Sequence, residues 1–218
     1  MSFAPATLYG VLLNYRGALA ALGEAVNKPP YKAPPKAPVL YIKPANTWIG
    51  DGAPIPVPSD VEALQMGAAL GVVIGRTACR VSAESALDHV AGYTVVNDVS
   101  MPHDSYYRPS VRLKCRDGFC PIGATIVERA RVPNPDALAV RVFVDGVLRQ
   151  QNTTANLVRS TRRLIADVTE FMTLAAGDVL LTGVPENAPL ARAGQRVAIE
   201  IDGVGRLENP LVAEGRGR

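Results

Sequence analysis

Asp98 lies just past the β-rich run Tyr93–Val96, and His103, Arg108, Lys114 and Arg116 follow it closely. A carboxylate at a strand end is well placed to face a cleft. Guanidinium groups grip carboxylates in a bidentate fork, so Arg108 and Arg116 read as substrate-binding candidates. A fixed ammonium such as Lys114 suits either a substrate carboxylate or an enolate, because preorganised charge acts most strongly where negative charge develops. His103, in the loop beyond Asp98, is the candidate for moving protons near neutral pH. Each cation alone reads equally well as a surface charge, and it is their grouping with Asp98 that makes a catalytic set of Asp98, His103 and Lys114. His89 reads as a surface or packing residue. Cys115 and Cys120 lack a matched histidine base and read as small packing residues rather than nucleophiles.

These residues must be held by elements that the pattern predicts. Leu70–Ile74, closed by Gly75, suits a buried strand. Ser82 reads as the cap of a short helix carrying Leu87 and Val90 and broken at Gly92, after which Tyr93–Val96 forms a second strand. Upstream, Leu8–Asn14 predicts a strand leading into an Ala-rich helical piece. The Pro- and Lys-rich segment at 28–38 reads as an extended surface connection, with a positively charged lip as the functional alternative. Val39–Ile42 is a further strand ending at Lys43. Downstream, Leu138–Val144 meets Asp145-Gly146, a hairpin signal. Thr153 or Thr154 is placed to cap a helix burying Leu157, Leu164, Ile165, Val168, Phe171 and Met172. Val179–Leu181 and a hairpin about Asp202-Gly203 complete an α+β fold, predominantly β, with about three helices.

A 218-residue chain is long enough for a substantial core, and one domain over 1–218 is expected. A net charge of +3 with scattered Lys and Arg gives no nucleic-acid signature, though it suits an anionic substrate. The three cysteines are odd in number and lack metal-site spacing, which predicts a reduced, cytoplasmic protein. No signal-like start or spanning apolar run is seen, so no membrane association is expected.

Three ordered segments, VSAESALDHVAGYTVVNDVS, KCRDGFCPIG and TEFMTLAAGDVLLTGVP, resemble the fumarylacetoacetate hydrolase family over nearly the whole chain. PYKAPPKAPVLYIKPANTWIGDG, with YRPSVRLKCRDGFCPIG, is similar to one branch, the bacterial isomerase/decarboxylases of 4-hydroxyphenylacetate (homoprotocatechuate) degradation, and to its N-terminal half or subunit. The resemblance implies a multilayer β-sheet fold with residues 1–50 as a small N-terminal or lid part. It also implies Mg²⁺ held by three carboxylates, hard oxygen ligands that leave positions open for substrate.

Asp98 matches the third ligand, but Gly67 and Ala69 stand where the family has two Glu, and Glu62 lies out of register. Metal is therefore expected to be absent or weakly bound. Asn14 and Tyr15 match a lid motif whose His and Glu positions are Ala18 and Ala21, with Glu24 one helical turn beyond. Lys43 and Lys114 match family lysines, Lys43 as a substrate-binding residue, and Val184 replaces a hydroxyl that often contacts ligand. The implied activity is decarboxylation of 5-oxopent-3-ene-1,2,5-tricarboxylate and isomerisation of 2-hydroxyhepta-2,4-diene-1,7-dioate through a dienolate. The implied partners are the small di- or tricarboxylate and either further copies of this chain or a paralogous metal-containing subunit. The alternative is a metal-free, non-catalytic partner of such a subunit. A generic hydrolase is disfavoured, because hydrolysis needs an activated water and the dyad is missing.

Overall fold

The computed structural model describes residues 4–103, 105–107 and 110–215. Two sheets carry the architecture. The first has the order Val39–Lys43, Leu8–Leu12, Val179–Leu181, Ala68–Ile74, Val90–Asn97 and Val127–Glu128. The second runs Val147–Thr153, Ala139–Val144, Arg196–Ile201, Gly205–Ala213 and Ile55–Val57. Most neighbours are antiparallel, while Leu8–Leu12 with Val179–Leu181 and Gly205–Ala213 with Ile55–Val57 are parallel.

Leu70, Val72, Ile74, Tyr93 and Val95 of the first sheet share a core with Val142, Ile199, Ile201 and Leu207 of the second. The opposite face of the first sheet buries Leu8, Ala69, Val73, Val96, Val179 and Leu181. The central strand Ala68–Ile74 is thus covered on both faces, which is why it reads as an unbroken apolar run rather than an alternating one. In the second sheet Ala139–Val144 alternates, with Val140, Val142 and Val144 inward. Its hairpin turns through Asp145 (φ 50°) and Gly146 (φ 76°), the paired positive angles that match strand twist.

Two helix expectations are corrected. The Ser82 segment forms only a 3₁₀ turn at Ala86–His89, and the strand begins at Val90 and runs through Gly92. Ser82 Oγ does accept from Ser85 N at 3.4 Å, but so short a piece gains too few bonds to sustain an α-helix. Gly92 marks close packing rather than a break, since a Cβ there would stand 2.2 Å from the Val127 carbonyl oxygen. The second helix spans Thr161–Thr169 and is capped by Ser160, whose side chain accepts from Arg163 N. Thr153 caps only the 3₁₀ turn before it. Leu157, Leu164, Ile165 and Val168 are buried, but Phe171 lies past the helix end and is 64% exposed. Among the described residues no helix is long and apolar enough to cross a membrane.

The edge pair of the first sheet prepares the functional region. Gly10 pairs with Tyr41 across the two strands, and a Cβ at Gly10 would stand 2.1 Å from the Tyr41 ring. The glycine lets the phenol lie flat over its neighbour strand. Gly10→Ala is therefore expected to displace the ring and cost about 1–3 kcal/mol. Gly50→Ala, on an open turn with nothing within 4 Å of the new methyl, should stay within about 0.5 kcal/mol of the parent in urea unfolding.

Candidate active site

Asp98 leaves the end of the Val90–Asn97 strand with its backbone fixed, its N–H donating to Gly67 O at 2.8 Å. Asn97 Oδ1 accepts from Gly67 N at 3.0 Å on the same crossing. The Asp98 carboxylate is almost wholly buried and meets two ammonium groups, Lys43 Nζ at 2.9 Å from Oδ1 and Lys114 Nζ at 2.9 Å from Oδ2. The Tyr41 hydroxyl donates to Oδ2 in a short hydrogen bond. Burial by itself would raise the carboxyl pKa. The Lys114 and Lys43 charges, with the hydrogen bonds from Tyr41 and Lys114, outweigh it and hold Asp98 well below the usual carboxylate range. Burial, then the Asp98 charge, drives the Tyr41 phenol well above its ordinary value, so it remains a neutral donor.

The two lysines differ in what they have left to offer. Lys43 Nζ donates to Val99 O, Lys114 O and Phe119 O at 2.7, 2.6 and 2.8 Å. An ammonium has three donors, so Lys43 is saturated by carbonyls and acts on Asp98 through charge alone. It ties the 98–119 segment together and has no donor for a ligand, contrary to its expected substrate-binding role. Lys114 ends the single turn Val111–Lys114, with its ammonium 4.9 Å from the Tyr41 ring centroid. Asp98 is its acceptor among the described residues, so donor capacity remains for a ligand oxygen. Burial lowers the Lys114 pKa and Lys43 adds to that, while Asp98 opposes it.

Lys114 and Asp98 open on a cavity of about 270 Å³, also lined by Tyr41, His103, Glu186 and the alanines Ala18 and Ala21. His103 Nδ1 stands 2.9 Å from Met101 O. A carbonyl only accepts, so Nδ1 is the donor, and in the neutral ring Nε2 is then the acceptor nitrogen. Nε2 is buried without a partner among the described residues. The structure therefore brings together Asp98, Lys114, Lys43 and His103.

It does not bring Arg116 to them. That guanidinium pairs with Asp60 at 3.2 Å and lines a separate recess with Pro56, Pro58 and Asp117. Arg108 lies outside the described residues, as does Asp104. His89 is remote from the cavity, its Nδ1 2.8 Å from Thr77 O. Cys120 is pushed up to about 12 by burial and Cys115 is also raised by burial, which suits packing residues. Tyr41 and Glu186 were missed in the sequence. The Gly10 that makes room for Tyr41 is a signal only once the strand register is known.

A divalent cation does not fit this donor set. Among the described residues no three His, Cys, Asp or Glu side chains converge. A Cβ at Gly67 would stand 2.4 Å from Asp98 O and 2.9 Å from Val184 Cγ2, so the first missing Glu has no room in this packing. Ala69 is enclosed by the apolar face of the first sheet. Both Asp98 oxygens already face ammonium groups.

Comparison with known proteins agrees with this architecture. Residues 7–212 match the fumarylacetoacetate (FAA) hydrolase C-terminal family, and the chain belongs to the fumarylacetoacetate hydrolase family. The 4-hydroxyphenylacetate degradation bifunctional isomerase/decarboxylase of Escherichia coli is 43% identical over 208 residues, covering 95% of this chain and 47% of the relative. The chain thus spans about half the length of that relative. The 2-hydroxyhepta-2,4-diene-1,7-dioate isomerase structure from Mycobacterium marinum is 30% identical at a TM-score of 0.78, covering 99% of this chain and 77% of that one. Fumarylpyruvate hydrolase from Pseudomonas aeruginosa, solved with Mn²⁺ and pyruvate, is 26% identical at a TM-score of 0.83, covering 98% and 92%.

Two outcomes follow from the charge cluster. Asp98 titrates below its ordinary value, about 3.9 when unfolded, so its stabilisation is present above that pH and is lost as pH falls below it. Asp98→Asn strands two buried ammonium groups and is expected to cost about 3–5 kcal/mol at pH 7. In denaturant unfolding across pH, the variant's acid decline should be shallower than the parent's. The donor set also predicts that calorimetric titration of the chain alone with Mg²⁺ or Mn²⁺ shows no stoichiometric micromolar site.

Proposed function

We propose that this chain is a subunit, or half, of a catabolic isomerase/decarboxylase of 4-hydroxyphenylacetate degradation. Its substrates would be 5-oxopent-3-ene-1,2,5-tricarboxylate and 2-hydroxyhepta-2,4-diene-1,7-dioate. The observation that carries the reading is the buried Lys114 ammonium, held by Asp98 with donor capacity facing the cavity. Within the Asp98 cluster two ammoniums face one carboxylate, and the surplus positive charge there favours an anionic group and an oxygen that gains negative charge. Loss of the carboxylate on the saturated carbon next to the alkene sends the broken bond's electron pair through the alkene to the ketone oxygen. CO₂ leaves and a dienolate remains, its oxygen on Lys114. Isomerisation moves a proton from the enol oxygen to the terminal carbon of the diene, and His103 Nε2, without a partner among the described residues, is the proposed base for its removal. The N-terminal segment through Ala18 and Ala21 closes one side of the cavity, consistent with a lid. Three free thiols suit a cytoplasmic setting.

A second reading has its own support. The occluded Gly67 and the alanines at 18 and 21 remove the family's metal ligands and lid dyad, as expected of a non-catalytic partner to a metal-containing paralogous subunit. The two readings part at Lys114. In the complete assembly, Lys114→Met keeps the aliphatic stem and should lower kcat by about 10²–10³-fold, followed by ultraviolet absorbance. Lys36→Met, in the exposed 28–38 connection, should change little. Unaltered decarboxylation, isomerisation and substrate-analogue binding in Lys114→Met would leave only the partner reading.

A further inference from the structure

Glu186 is the second carboxylate on the cavity wall, after Asp98, among the described residues. Asp98 is not free to carry a proton, because its oxygens face Lys43, Lys114 and the Tyr41 hydroxyl. Glu186 is held differently. Asn152 Nδ2 donates to its Oε1 at 3.0 Å, while Oε2 is buried with no partner among the described residues. Its backbone oxygen accepts from Gln150 Nε2, so two side chains of one strand fix the residue. Asn187 follows with a φ of 57°, a left-handed turn position just beyond the carboxylate. Gly17 completes the pocket, since a Cβ there would stand 2.1–2.3 Å from the carboxyl atoms. The helix carrying Ala18 thus packs against this carboxylate through a residue without a side chain.

We infer that Glu186 is a catalytic proton-transfer group, the acid that protonates the terminal carbon of the dienolate. The inference rests on the isomerase/decarboxylase reading above. In the step, the electron pair on the enolate oxygen re-forms the ketone, the adjacent double bond shifts by one position, and the terminal carbon takes the proton from the Glu186 carboxyl. Glu186 is left as carboxylate, and His103 holds the proton removed from the enol. Solvent returns the one to Glu186 and takes the other from His103, so the cycle closes without a co-reactant. Decarboxylation proper ends at the dienolate and needs only the Lys114 charge, so Glu186 is not required for it.

That split supplies the test. Glu186→Gln is nearly isosteric and keeps a partner for Asn152. In the complete assembly it is expected to slow isomerisation by about 10²–10⁴-fold, with decarboxylation and substrate-analogue binding close to the parent. Reaction in deuterium oxide, followed by proton magnetic resonance, should show reduced enzymatic deuterium incorporation at the terminal carbon. Isomerisation at the parental rate would overturn the inference, as would equal slowing of both reactions, which would mark Glu186 as merely structural. If Glu186→Gln is silent while Lys114→Met slows both steps, Glu186 alone is dismissed. If Lys114→Met is silent too, the underlying reading fails with it.

Discussion

The candidate site depends on one buried carboxylate shared by two ammonium groups. Taking three charges out of water is costly, and attraction between them offsets that cost only when the remaining donors and acceptors are satisfied. Here the Lys43 donors go to three main-chain carbonyls and Tyr41 supplies a further donor to Asp98. Those carbonyls belong to Val99, Lys114 and Phe119, so Lys43 gathers both ends of the segment bearing the cavity's lysine, Lys114. The ammonium thus gives acceptor-only main-chain oxygens a buried partner, with Phe119 O also accepting from Val99 N.

The cluster also bears on why a divalent cation does not fit the described donor set. A divalent cation needs several converging oxygen ligands and a coordination shell free to accept them. In this chain the carboxylate is already neutralised by side-chain charge, and the neighbouring strand positions are packed against backbone or apolar neighbours. The remaining positive charge is presented to the cavity by Lys114, whose ammonium lies over the Tyr41 ring. A fixed ammonium can stabilise an oxyanion electrostatically, as a metal can, but it does not supply the coordination sites that a metal opens to substrate oxygens.

Small residues make the arrangement possible. Gly10 leaves space for the Tyr41 ring, Gly67 for the Asp98 carbonyl, and Gly17 for the Glu186 carboxyl. Each lies on a different segment from the group it accommodates, so these glycines act through close approach between distant parts of the chain. In such places added volume is transmitted to a polar group of the site, the side chain of Tyr41 or Glu186 or the backbone of Asp98.

Much of the scaffold was legible in the sequence because its signals are local. The apolar run Leu70–Ile74, the alternation in Ala139–Val144 and the Asp145-Gly146 turn each report on neighbours a few residues away. Asp98 at a strand end and Lys114 beyond it were likewise visible as chemistry awaiting a cleft. Helix limits were less so, since Ser82 and Thr153 make local capping bonds that stabilise only short turns. The three-dimensional structure decided which charges meet. Lys43 is saturated by carbonyls from 56 to 76 residues away, Arg116 is diverted to Asp60, and Glu186 is brought over Gly17. Sequence spacing carries no record of such donor satisfaction or mutual clearance, because both depend on segments that only the completed fold places in contact.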